Sequence, residues 1–148
     1  MFRDLLDDTY ILDNVNTDDY QSFINTYLQL ENTIAFTEEK FIEVINENKK
    51  RGNIYLCIRL RITNEIIGCG KLFFDIKFGN NKSYIDDVVI DRNYQNQKLG
   101  SYLIYQLLDY ANKRDCYVCL LNCKQELKDF YIKLGFKNDK LLMRYDFH

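Results

Sequence analysis

The sequence predicts one mixed α/β domain, a mostly antiparallel central sheet flanked by helices, and three observations carry that prediction. From Ile54 to Ile62 apolar residues alternate with Tyr55, Cys57, Arg59 and Arg61, the period of a strand with one face buried. Leu99, Leu103, Ile104, Leu107, Leu108 and Ala111 repeat with the period of a helix. The order of elements is helices near the start, a meander of strands, then strand, helix, strand, helix, strand, which suits a single sheet covered by helices.

Taken in order, Tyr10-Ile11-Leu12 start a short strand, and Thr17 is placed to cap a helix carrying Tyr20, Phe23, Ile24, Tyr27 and Leu28. Thr37, followed by Glu38 and Glu39, starts a second helix whose Phe41, Val44 and Ile45 face inward, and Gly52 stops it. The alternating strand then ends in a Thr63-Asn64-Glu65 hairpin turn. Ile66 to Phe74 forms the next strand, where Gly68 and Gly70 mark a bulge or a close contact. After the polar loop from Phe78 to Lys82, Tyr84 to Asp91 forms a third strand of the meander. The helix Leu99 to Lys113, a strand Cys116 to Asn122, a short helix Glu126 to Leu134 ended by Gly135, and a last strand Leu141 to Phe147 complete the chain.

At 148 residues, of which 47% are apolar or aromatic, the chain has the material for one ordinary core, and residues 1–148 read as a single domain. Lys and Arg number 20 against 22 Asp and Glu, a balance that excludes general attraction to nucleic acid or an anionic membrane and makes any phosphate site local. The first ten residues lack the pattern of a secretory signal and no stretch has the length of a membrane span, so a cytoplasmic protein is expected. Five cysteines scattered through apolar segments read as reduced thiols. Cys116 and Cys119, three apart on a strand, are expected on opposite faces, and the only histidine is His148, so no metal site is expected. No Gly-x-Ser-x-Gly elbow is present either, which favours direct attack on a bound substrate over a Ser–His or Cys–His nucleophile.

The segment from Tyr84 to Leu108 joins a buried strand, through a polar stretch, to a helix beginning near Leu99-Gly100. The first N–H groups of a helix lack intrahelical partners and carry the positive end of its dipole, so a pyrophosphate docks there without many basic side chains. Gly100 lets it come close.

Gln95-Asn96-Gln97-Lys98-Leu99-Gly100 resembles the pyrophosphate loop of the GNAT superfamily of N-acetyltransferases, Gln/Arg-x-x-Gly-x-Gly/Ala, with Lys98 standing at the first family glycine. Downstream, Phe130-Tyr131-Ile132-Lys133-Leu134-Gly135-Phe136 is similar to the superfamily's Phe-Tyr-x-Lys-x-Gly-Phe signature. Tyr84-Ile85-Asp86-Asp87-Val88-Val89-Ile90 and Leu121-Asn122-Cys123 are most similar to the branch that acetylates glucosamine 6-phosphate, a likeness running over residues 8 to 147. The resemblance implies a GNAT fold whose sheet splays around the pantetheine arm of acetyl-CoA, between the strands of Val88 and Leu121, and a homodimer. It also implies that Val88, Val89 and Ile90 hold the pantetheine through their backbones, while Gln95, Asn96, Gln97, Lys98, Leu99, Gly100 and Ser101 hold the pyrophosphate. Asp86, Asp87, Leu121, Asn122, Lys124 and Arg144 are then the sugar-phosphate side.

Tyr131 is the implied catalytic acid, its phenol protonating the departing thiolate; the plain alternative is one more packed tyrosine among twelve. Asp86 and Asp87, adjacent on a strand, are expected to point to opposite faces and to have different jobs. Asn122 stands where the family carries a carboxylate, and an amide cannot accept the amine's proton. A sugar amine titrating near about 8 is roughly a tenth neutral at pH 7, a cost of about 1.4 kcal/mol, and Asp87 or a water chain finishes the proton removal. For the phosphate, Arg144 on the last strand is the first choice, standing in for the family arginine expected at Asp146, with Lys124, Lys77 and Lys82 behind it. An acetyltransferase for another amine and a binding-only acetyl-CoA module are the alternatives.

Overall fold

The structure, a computed structural model, describes residues 6–148. Strands β2 (Ile54–Leu60) and β3 (Ile66–Asp75) pair antiparallel across a reversal in which Asn64 takes a left-handed backbone, φ 64°. Strand β1 (Tyr10–Asn14) pairs antiparallel with β2, and β4 (Asn81–Ile90) with β3. Strand β5 (Cys116–Leu120) lies parallel to β4, so the order is β1-β2-β3-β4-β5. The parallel step is made by helix α3 (Leu99–Lys113), as a parallel crossover requires. Helices α1 (Tyr20–Tyr27) and α2 (Glu38–Lys50) and the short α4 (Lys128–Lys133) complete the fold. No helix among the described residues is long and apolar enough to cross a membrane.

Two cores sandwich the sheet. Leu99, Leu103 and Leu107 of α3 pack with Leu56, Ile58, Leu72 and Ile85, while Phe23, Phe41 and Ile45 of α1 and α2 pack with Cys57, Cys69 and Val89. β2 is therefore buried on both faces, not one. The residue responsible for the misleading alternation is Arg59, which is 1% exposed. Its guanidinium donates two hydrogen bonds of 2.7 Å to the two oxygens of Asp19, one of 2.9 Å to Asp13 and one of 3.0 Å to the Asn14 carbonyl. Burial pushes the Asp19 carboxyl up, but hydrogen bonds from Arg59 and the Asn16 N–H, with the Arg59 charge, outweigh it and hold the carboxyl below the usual range.

Asp19, not Thr17, occupies the N-cap position of α1, and it serves Arg59 rather than the helix end. Thr37 does cap α2, accepting the Lys40 N–H at 3.1 Å. Gly68 and Gly70 are close contacts: a Cβ on Gly68 would lie 2.6 Å from Ile90 Cδ1, and one on Gly70 3.0 Å from Leu107 Cδ1. The accompanying bulge sits on β4. Lys71 opposes Asp86 and Cys69 opposes Val89, so Asp87 and Val88 together face Gly70, and Asp87 is left-handed at φ 52°. A second irregularity, where Asn81 opposes Cys116 but Lys82 opposes Val118, breaks the alternation of β5 at Tyr117. Cys116 and Cys119 consequently pack against the same core instead of opposite faces.

The expected last strand is absent. Residues 141–148 form no ladder, and Leu141, Leu142, Met143, Tyr145 and Phe147 are exposed. Arg144 is paired with Asp146 at 2.7 Å.

Truncating Arg59 to Ala leaves Asp19 buried without its counter-charge, so urea unfolding is expected to show a loss of about 3–5 kcal/mol. Because the Asp19 carboxyl is depressed in the fold, the wild-type contribution is present above its unfolded value and fades as the pH falls through the folded one. A loss under about 1 kcal/mol would contradict this role.

Candidate active site

β4 and β5 share a ladder only as far as Tyr84 and Leu120. Beyond those residues they part, and a cavity of about 450 Å³ opens between Ile85–Ile90 on one side and Leu121–Lys124 on the other. The Asp91 N–H bonds to the Ile67 carbonyl at 2.7 Å, so by the alternation of an antiparallel pair the backbone groups of Val89 turn to β3 and those of Val88 and Ile90 turn to the gap. The Ile90 carbonyl indeed accepts from Gln95 Nε2, at 3.1 Å, not from β3. Of the three residues expected to offer their backbones, Val88 and Ile90 turn theirs to the gap and Val89 turns its own to β3.

The loop from Asp91 to Lys98 is held at several points. Asp91 caps the turn Arg92–Tyr94 through the Asn93 N–H, at 2.8 Å. Gln29, from the α1–α2 connection, donates to Asp91 at 2.9 Å and accepts the Arg92 N–H at 2.9 Å. Gln97 accepts the Tyr10 hydroxyl through its side-chain oxygen, which ties the loop to β1. Asn96 and Lys98 are both left-handed, φ 64° and 63°. Lys98 thus adopts the backbone that a glycine takes freely, at a cost of about 1–2 kcal/mol.

Lys98 is the N-cap of α3 and makes no side-chain cap. The Tyr102 N–H is bonded to the Lys98 carbonyl at 3.1 Å, so the N–H groups of Leu99, Gly100 and Ser101 precede the helical ladder at the positive end of the dipole. A Cβ on Gly100 would sit 3.6 Å from Phe130 and 3.8 Å from Ile90, ordinary contact distances. The protein's own packing does not demand glycine there; an open first turn is what the glycine provides.

Tyr131, on α4, borders the cavity from below, buried and edge-on to the rings of Phe130 and Phe136 at 5.0 and 5.6 Å. Burial, and secondarily Cys123, push its phenol up, so it stays protonated and able to donate. Asp86, Asp87, Leu121 and Asn122 border the same cavity. The two aspartates are not sent to opposite faces, because the bulge at Asp87 breaks the period. Their settings still differ: exposed Asp86 accepts the Asp87 N–H at 2.9 Å, while half-buried Asp87 accepts the Tyr27 hydroxyl at 3.2 Å. Burial and the Asp86 charge raise the Asp87 carboxyl, the Tyr27 hydrogen bond and Lys71 opposing them.

The expected cations are dispersed. Lys124 borders the cavity but is ion-paired with Glu31, Lys77 pairs with Asp75 at 2.9 Å, and Arg144 does not reach the cavity. Lys82 lines an adjoining cleft of about 440 Å³ that shares Ile85, Asp86, Leu121 and Asn122 with the first and adds Lys140. Tyr27, Gln29, Glu31 and Lys140 are site residues that the sequence did not disclose. Tyr27 carried only a helix-face signal, and the other three sit in connections without periodicity. A further cavity of about 390 Å³ beneath the α1–α2 connection is walled by Phe23, Phe36, Phe41 and Tyr55, and its one cation, Lys40, is paired with Glu43 at 3.0 Å. Among the described residues no three His, Cys, Asp or Glu gather as metal ligands.

A parted parallel pair, a bare helix N-terminus at its end and a buried phenol beside it define an acyltransferase site. Residues 16–136 match the model of the acetyltransferase (GNAT) family, and the chain belongs to that family. Over 144 residues it is 32% identical to glucosamine 6-phosphate N-acetyltransferase 1 of Dictyostelium discoideum, covering 94% of this chain and 92% of that one. The glucosamine 6-phosphate N-acetyltransferase of Arabidopsis thaliana is 29% identical over 132 residues, covering 86% and 89%. A crystal structure of the Arabidopsis thaliana enzyme superposes with a TM-score of 0.88 at 27% identity, over 95% of this chain and 100% of that one.

Gly100→Ala separates the two reasons for a glycine in the first turn. The substitution is expected to raise stability, by up to about 1 kcal/mol, through helix propensity. Coenzyme A binding, followed by calorimetry, should weaken. Unchanged binding would remove the helix N-terminus from the cofactor site.

Proposed function

We propose that this enzyme transfers the acetyl group of acetyl-CoA to the 2-amino group of glucosamine 6-phosphate, giving N-acetylglucosamine 6-phosphate and coenzyme A. The observation that carries the reading is the single cavity in which Val88, Ile90, Tyr131, Asp87 and Asn122 meet. Relatives named for that reaction, alike along nearly the whole chain, support the acceptor.

The pantetheine arm takes the place β5 leaves beside β4, bonding to the backbones of Val88 and Ile90, with the pyrophosphate on Leu99–Ser101. The amine attacks the thioester carbon, and a C–N bond forms as the carbonyl becomes an oxyanion. Collapse of that intermediate breaks the C–S bond, and the Tyr131 hydroxyl delivers its proton to the sulfur. The proton lost by the amine goes to Asp87, since Asn122 offers only hydrogen bonds to the sugar. Lys82 and Lys140 in the adjoining cleft, with Lys124 once it exchanges Glu31 for phosphate, form the 6-phosphate subsite.

The active species is a homodimer, in which the apolar side of residues 141–147 is covered by the second copy and Arg144 is carried towards its site. Exposure of five large apolar side chains on this short segment, next to the free edge of β5, supports that assembly. The reaction belongs to the cytoplasm, where its product serves UDP-N-acetylglucosamine synthesis.

Mixed with acetyl-CoA, the protein is expected to release free thiol with glucosamine 6-phosphate and far less with unphosphorylated glucosamine, and to sediment at twice the chain mass. Tyr131→Phe should lower kcat about a hundredfold with KM little changed. Acetyl-CoA binding without thiol release would overturn the acceptor assignment.

A further inference from the structure

Asp87 is held in a way that its place on a strand does not explain. It is the residue of β4 with a left-handed backbone, and its carboxylate is reached by a hydroxyl from a different layer, Tyr27 of α1. Non-glycine residues persist in such conformations where the surroundings over-determine them, and such sites are concentrated where chemistry happens. The Tyr27 ring is fixed by a stack on Phe23 at 5.0 Å and an edge contact with Phe36 at 5.8 Å. One oxygen of Asp87 accepts from Tyr27; among the described residues the other accepts no hydrogen bond, in a side chain that borders the reaction cavity.

We infer that Tyr27 is a positioning residue for acetyl transfer: its hydroxyl fixes one oxygen of Asp87 so that the other takes the proton from the attacking amine. The inference rests on the reading of the reaction given above. As nitrogen bonds to the acetyl carbon, one N–H bond breaks, its electron pair stays on nitrogen, and the proton moves to the free oxygen of Asp87. The same pairing accounts for Asn122, since a base on β4 removes the need for a carboxylate on the 121–124 segment.

The groups facing Asp87 are Tyr27 from α1, Tyr55 from β2, Cys69 and Lys71 from β3, and Asp86 beside it on β4. Burial raises the Tyr27 phenol well above its ordinary value, so Tyr27 donates and is no base itself. Its hydrogen bond lowers the Asp87 carboxyl against burial and Asp86, and without it the carboxyl must rise.

The test measures kcat and kcat/KM against pH for the wild type, Tyr27→Phe and Asp87→Asn, with coenzyme A affinity and thermal unfolding alongside. Phenylalanine keeps both ring contacts, so Tyr27→Phe should fold and bind coenzyme A as the wild type does. Its kcat should fall about tenfold, the weight of one hydrogen bond to a charged group, and the acid limb of kcat/KM should move to higher pH. Asp87→Asn should lose about a hundredfold or more in kcat. An unmoved acid limb in Tyr27→Phe, or wild-type kcat in Asp87→Asn, would overturn the inference. If the wild type acetylates no glucosamine 6-phosphate, the substrate reading fails separately. The Asp87 carboxyl is then titrated directly by carbon NMR without substrate: an upward shift in Tyr27→Phe supports the pairing, and no shift overturns it.

Discussion

Beyond Tyr84 and Leu120, two parallel strands that share a ladder separate, and β4 is left with backbone N–H and C=O groups on one edge that no strand of the described chain satisfies. Unpaired main-chain groups in a partly buried setting are costly, so a fold keeps such a gap only when something holds the strands apart. Here the causes are local. The bulge at Asp87 turns the end of β4, Gly68 and Gly70 let β4 and α3 press against β3 without side chains between them, and Tyr131 fills the floor. The open edge ends beside the bare first turn of α3, where a Cβ on Gly100 would lie 3.8 Å from Ile90.

The opposite layer completes the site through a different kind of constraint. Arg59 ties Asp19 at the start of α1 to β2, so α1 is fixed where its last residue, Tyr27, meets Asp87. The connection that follows is bound to the 91–98 loop by Gln29 and to the 121–124 segment by Glu31 and Lys124. A buried ion pair does not by itself add stability relative to apolar packing. Its use in this protein is registry: it sets the angle and depth of a helix that must reach a particular carboxylate 60 positions further along the chain.

Much of this was legible in the sequence wherever a period was long and uninterrupted. The helix Leu99–Lys113 is found with its expected ends, and the pyrophosphate loop and the Phe-Tyr signature fall at the helix entrance and beneath the gap. What escaped were places where one residue breaks a period. Arg59 looked like the solvent face of β2 because sequence does not reveal that Asp19 and Asp13 wait for it. Asp87 and Tyr117 each add a residue to a strand and so reverse the face assigned to their neighbours. Residues 141–147 have the pattern of a strand yet form no ladder, and Arg144 is paired with Asp146. Lys98 shows the converse. It stands where the family carries a glycine, yet the chain adopts the left-handed turn regardless.

The proposed donor site is the gap between β4 and β5, continued by the first turn of α3. Amide hydrogen exchange with and without coenzyme A tests it most directly. Protection of the Val88 and Ile90 amides and of Leu99 to Ser101, with Val89 unchanged because β3 already holds it, is the predicted result. Protection confined to the aromatic cavity around Phe36 and Phe41, with Val88, Ile90 and the α3 first turn unaffected, would contradict it.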